Sequence, residues 1–238
     1  MDAILAAGSG LLTGSLLLVG ALIGWYARVP ATVVAGILAF GAGVLISALA
    51  FELVAEAHRD GGLLPTVIGF AAGALVYVGA DVALDRRGRR RGGDDASGSV
   101  LLVGALLDGI PESLVLGLSV AATGGLSLPV VAAIAISNLP EGLSSSEAMR
   151  RAGRSAGSVF GTWLAVAGVT AVAALAGYLL LSDAPAELIA VITTVAAGAM
   201  LAMVCNTMIP RAFAQDRAAT GLLATLGFLA AFALSQLG

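Results

Sequence analysis

Eight apolar runs divide this sequence, near residues 3–24, 32–56, 63–84, 99–122, 128–149, 157–180, 187–209 and 219–237. The hydrocarbon core of a bilayer is about 30 Å thick, and a helix needs about 20 largely apolar residues to cross it. Each run has that length. They are continuous rather than alternating apolar and polar, which argues against a transmembrane barrel. The expected fold is all-α: a polytopic membrane protein of eight transmembrane helices in a single domain, residues 1–238. Hydrophobic residues make up 59% of the chain and charged ones 11%, more apolar surface than a soluble domain of 238 residues can cover. The first run begins with an acid, Asp2, and so reads as a permanent span rather than a signal peptide.

Arginine sets the expected direction. Lysine is absent, and the 12 basic residues are all arginine. The connections after runs 1, 3, 5 and 7 hold Arg28, then Arg86, Arg87, Arg89, Arg90 and Arg91, then Arg150, Arg151 and Arg154, then Arg211 and Arg217. The other side holds only Arg59. Positive residues stay in the cytoplasm. The Arg-rich loop 85–98 is therefore expected in the cytoplasm and both termini outside, in a plasma (inner) membrane. Cys205 is the only cysteine and His58 the only histidine. Together they exclude an internal disulfide, a cysteine zinc motif and a multi-histidine site within one chain.

Against this apolar background two segments stand out. DGIPES (Asp108–Ser113) lies in run 4 and SNLPEG (Ser137–Gly142) in run 5. Ionisable groups inside a span are costly, about 2.5–3.5 kcal/mol each on insertion scales, and by default mark a pathway or a site. Asp108 and Glu112 stand at i and i+4 and share a helix face, as do Ser137 and Glu141. A proline precedes each glutamate. Pro111 has no N–H for the carbonyl of Leu107, and Pro140 none for that of Ile136, so both helices are expected to kink there. A freed carbonyl in a membrane must find another partner. Two such helices at equal depth offer carboxylates and carbonyls that could cage a cation. The competing reading is a pair of protonated carboxyls packed together.

These motifs and the eight-span topology resemble the ZIP family of divalent-metal transporters, whose members typically carry H-N-x-P-E in span 4 and H/Q-N/D-x-P-E-G in span 5. The resemblance implies metal-ligand positions at Asp108, Glu112, Asn138 and Glu141, with Gly109 and Ser137 at the remaining two. It also implies an inverted pseudo-repeat of spans 1–3 and 6–8, a homodimer, and elevator-like alternating access. Asp108 and Ser137 stand where relatives carry histidine, so the donors are all hard oxygen. Such a set suits Mn²⁺, Mg²⁺ or Fe²⁺; Zn²⁺ is what the family implies. Three carboxylates exceed the charge of one divalent ion, which would leave one free to exchange a proton.

Further polar residues are candidates for the pathway: Ser113, Ser137, Ser144, Asn206, and Glu52 with Glu56 near the outer end of span 2. The two glutamates read equally as a cation funnel or as a solvated helix end. Glu147 is expected to pair with Arg150 or Arg151, and Asp81 and Asp85 to neutralise nearby arginines. Two other classes stay open. One is a relative of the same fold that carries another solute or senses one. The other is an intramembrane hydrolase using paired carboxylates, for which no nucleophile motif is present; no enzyme activity is expected. The lipid bilayer is the expected partner, with no nucleic acid and no soluble protein.

Overall fold

The computed structural model describes residues 2–91, 94–126, 128–181, 184–215 and 217–236; the side chains of 85, 87–91, 94–104, 107–108, 122–123, 128–129 and 217 lie outside the described residues. Every regular element described is helical: α1 (Asp2–Tyr26), α2 (Ala31–Ala48), α3 (Ala55–Gly61), α4 (Leu63–Arg91), α5 (Asp94–Thr123), α6 (Leu128–Arg151), α7 (Ala156–Leu181), α8 (Ala186–Met203), α9 (Ile209–Gln215) and α10 (Arg217–Ser235). Two π-helical turns, Leu49–Val54 and Val204–Met208, join α2 to α3 and α8 to α9 in continuous rods. Pro30 and Pro185 stand at the starts of these rods, where a missing N–H costs nothing. Gly62, at φ +86°, ends the first rod in a left-handed conformation that glycine adopts without strain.

Among the described residues, six helices are long and apolar enough to cross a bilayer: Asp2–Tyr26, Ala31–Gly61, Leu63–Leu84, Ala156–Leu181, Ala186–Gln215 and Ala218–Ser235. The two others of the expected eight are α5 and α6. In α5 the apolar stretch is the shorter Gly109–Ala121. These are the helices that carry the polar motifs, and that content lowers their apolarity. Several boundaries differ from the expected ones. The stretch expected as a loop, 85–98, is helical on both sides of residues 92–93, because α4 runs to Arg91 and α5 begins at Asp94. Arginine is a good helix former, and no helix breaker other than Gly88 precedes Gly92. Likewise the seventh run extends through α9, so Arg211 lies on a helix instead of in a loop.

The helices associate in close pairs: α1 with α6 and α7, α5 with α7, α2 with α10, and α4 with α8. Lipid tails give helices no hydrophobic reason to associate, so contact depends on backbones that approach closely at small residues. In four of these interfaces glycines from both helices rest on the partner's backbone. They are Gly20 and Gly142 between α1 and α6, and Gly117 and Gly177 between α5 and α7. Gly43 and Gly227 do the same between α2 and α10, and Gly73 and Gly198 between α4 and α8. The contacts advance together along both chains: Gly36 meets Leu223, and Gly227 meets Phe40. These four pairs are thus parallel. By contrast α1 and α7 cross in opposite directions, with Gly10 against Thr170 and Ala174 and Gly14 against Thr170 and Ala167.

The rods α2–α3 and α8–α9 are the most buried of the six apolar spans, and α4 and α10 the least. Leu38, Ala42, Leu45, Met203, Val204 and Met208 form one core between the rods. Leu49 and Leu53 share a second core with Val115 and Leu116 of α5, Ile134 of α6 and Met200 of α8. Outward faces of α4 and α10 remain apolar, as at Leu75, Val76, Leu222 and Leu229.

Candidate functional site

Pro111 lies inside α5 and Pro140 inside α6, and each helix continues through its proline. The carbonyl that Pro140 leaves without a helical partner, that of Ile136, lies near Gly41 of α2, where an added Cβ would stand 3.6 Å from its oxygen.

The polar residues that follow from these interruptions are buried. Glu112 is 2% exposed, Ser113 2%, Ser137 3% and Asn138 4%, and Glu141 is half-buried. Glu112 is among the largest fully buried side chains in the molecule. It lies close enough to Glu141 for the two carboxyl groups to act on each other electrostatically. The glutamates of the two motifs, one on α5 and one on α6, therefore lie within electrostatic range of each other. Asp108 belongs to the expected set, but its side chain lies outside the described residues. Among the described residues, no three His, Cys, Asp or Glu side chains gather in one metal-holding group.

Each remaining member has a defined backbone tie. Asn138 Nδ2 donates to the carbonyl of Thr13 in α1 at 2.9 Å, which fixes the amide plane while its Oδ1 is a separate acceptor. Ser137 Oγ donates to Ile134 O at 2.9 Å. Ser144 Oγ donates to Glu141 O at 3.2 Å, a local bond within its own helix. Beside Glu141 lies a cavity of about 10 Å³, room for a single water-sized species. Its polar lining is Ser137, Glu141, Thr207 and Arg211, and its apolar wall is Leu38, Met203 and Met208.

Arg211 is the residue that sequence reasoning missed. Assigned to the connection after the seventh run, it had no reason to approach the motif. The π-helical turn and α9 carry it along the rod to the same cavity as Glu141. The signal was present in the run itself, which continues to Gln215 with only Pro210 to interrupt it.

The other candidates are scattered. Asn206 Nδ2 donates to Asp81 Oδ2 at 3.4 Å, so Asp81 faces an amide. Arg151 pairs with Glu147 at 2.5 Å, whereas Arg150 Nη1 donates to Trp25 O of α1 at 2.6 Å. Glu52 lies in the first π-helical turn and Glu56 on α3, one half-buried and one exposed. Asp85 has its side chain outside the described residues.

Among the described residues, an all-helical bundle with six apolar spans, and with the Glu112 carboxyl buried on a further helix, has the architecture of a polytopic membrane protein. No family model matches the chain. Over 181 residues it is 32% identical to the Arabidopsis thaliana protein named "Putative zinc transporter At3g08650". That match takes in 73% of this chain and 29% of the plant protein, so the chain spans less than a third of its relative's length.

Proposed function

We propose that this chain is a ZIP-like membrane transporter whose substrate is a divalent metal cation, bound between α5 and α6. The observation that carries the reading is Glu112, a carboxyl withdrawn from solvent within electrostatic range of a second carboxyl, Glu141. Two acids in such a place repel each other unless a proton or a cation lies between them. A divalent cation answers both charges at once. Asp108, Glu112, Asn138 and Glu141 are the proposed ligands, with the Ser137 hydroxyl and the freed Ile136 carbonyl as further oxygen donors. An oxygen-only set favours Mn²⁺, Mg²⁺ or Fe²⁺ by hardness; the name of the plant relative adds Zn²⁺ to the metals to be tested.

We read α5 and α6 as the fourth and fifth of eight spans. The parallel pairing of α1 with α6, α5 with α7, α2 with α10 and α4 with α8 supports this, since each pair then joins spans of like direction. An inverted repeat is supported by correspondence across the bundle. Gly43 against α10 answers to Gly198 against α4, and Asn138 beside Thr13 answers to Gly109 beside Thr170. Inverted repeats place the substrate site at the midplane, where interrupted helices meet. The distribution of arginine supports a cytoplasmic location for the Arg-rich ends of α4 and α6. Movement of one repeat against the other would then alternate access to the site.

Uptake by the full chain in proteoliposomes tests the reading, with Mn²⁺, Fe²⁺, Mg²⁺ and Zn²⁺ offered separately. Saturable uptake of at least one, lost in Glu112→Gln and Glu141→Gln, is the expected result. No flux of any of the four in the folded wild type would remove it.

A further inference from the structure

The rods α2–α3 and α8–α9 begin at Pro30 and Pro185, and their residues correspond one to one through the π-helical turns. The correspondence is physical as well as numerical. Gly43 and Gly198 each rest on a neighbour's carbonyl, and Ala42 and Ala197 are both fully buried. The same register sets Leu53 against Met208 and Ala57 against Ala212, all four buried. In that register Glu52 corresponds to Thr207 and Glu56 to Arg211. One rod thus carries two acids where the other carries a hydroxyl and a cation.

The cationic position is the one that lines the cavity beside Glu141. Along its rod, Arg211 lies beyond Met203 and Thr207, and the eight-span reading gives this rod and α6 the same direction, which sets Arg211 toward the end of α6 that carries Arg150 and Arg151. A positive group there has two consequences. It repels a divalent cation already at Glu141, and it competes for the same carboxylate. We infer that Arg211 is a positioning residue for transport: a tethered cation at the mouth of the Glu141 cavity, nearest the Arg-rich end, that weakens cation binding and drives release toward that end. The inference rests on the transporter reading. It adds to it a polarity that an inverted repeat alone cannot supply, because a symmetric pair of mouths would favour neither direction.

The experiment is concentration-dependent Mn²⁺ uptake by the full chain in proteoliposomes, comparing wild type with Arg211→Gln, Arg211→Lys and Glu56→Gln. Removal of the charge should lower KM about tenfold and lower the maximal rate as well, because the ion is held more tightly and leaves more slowly. Arg211→Lys keeps a charge and should restore both values toward wild type. Glu56→Gln, at the corresponding place on the other rod, should shift KM upward. A merely structural arginine would lower the rate without improving affinity, and the conservative variant would follow no charge rule. Unchanged or raised KM in Arg211→Gln overturns the inference. If that variant does not reach the membrane, a KM in Glu56→Gln that fails to rise overturns it in its place. Should the wild type move none of Mn²⁺, Fe²⁺, Mg²⁺ or Zn²⁺, the transporter reading itself falls.

Discussion

Helices α5 and α6 carry the same Pro-Glu step but are fastened differently. On α6, three side chains reach α1: Asn138 to Thr13 O, Ser146 to Ala21 O and Arg150 to Trp25 O. Aligned on Glu112 and Glu141, the corresponding residues of α5 are Gly109, Gly117 and Ala121. Of these, Gly109 and Gly117 meet α7 with bare backbone. At these three positions one motif helix is thus pinned by hydrogen bonds in a fixed register, whereas the other offers no side-chain donor and meets α7 through glycine at two of them. A hydrogen bond fixes where a helix sits, whereas glycine packing allows small slides at little cost. The carboxylates are common to both helices and the ties at these three positions are not, so the shared part belongs to the site and the unshared part to its mounting.

The largest effect expected along this comparison is at the shared part. Glu112→Gln and Glu141→Gln should each abolish metal uptake while membrane expression is retained, measured with the same liposome assay. If only one of them abolishes it, the two helices contribute unequally to binding, and the site is asymmetric at its ligands as well as at its ties.

Next in size is Gly117→Val. Even a Cβ at this position runs into the carbonyl of Ala174 and the amide of Tyr178. Forcing α5 from α7 should cost about 1–3 kcal/mol, read as a fall in melting temperature in detergent. Ser146→Ala, at the corresponding place on α6, loses one bond worth about 0.6–1.7 kcal/mol. Equal losses would show that the two interfaces are not mounted differently after all. Asn138→Ala should resemble Ser146→Ala in stability, yet also weaken uptake. A stability loss with normal uptake would make Asn138 a tie and not a ligand.

Much of the helical layout was legible because a bilayer imposes one length scale. Six of the expected runs recur as apolar helices within a few residues. The two motif helices were legible for the opposite reason: buried acids and prolines in an apolar run are costly enough to be conspicuous. What the sequence could not show was partnership. Nothing in SNLPEG says that Asn138 binds α1, since that depends on which helix packs beside it. Asp81 read as a partner for arginine until the second rod set Asn206 against it. Arg211 was hidden by the assumption that a charge ends a span, an assumption that fails where a helix runs on past the membrane-length window.

The smallest contrast is between two neighbours at the end of α6, and it isolates the tie from the charge. Arg150 donates to the carbonyl of Trp25, one of the last in α1, where a helix leaves carbonyls without internal partners and gathers partial negative charge. Arg150→Ala should therefore cost about 1–2 kcal/mol. Arg151 also makes a short contact, to Glu147, but its side chain is 76% exposed and the pair joins residues of one helix. Water screens such a pair and the side chains lose freedom in making it. Arg151→Ala should change stability by no more than about 0.5 kcal/mol. The positive-inside argument treats these arginines alike, so melting both variants separates their shared contribution to topology from the one bond that pins α6 to α1. Identical melting temperatures would mean that the Arg150 bond does not hold the register, leaving Asn138 and Ser146 to do so alone.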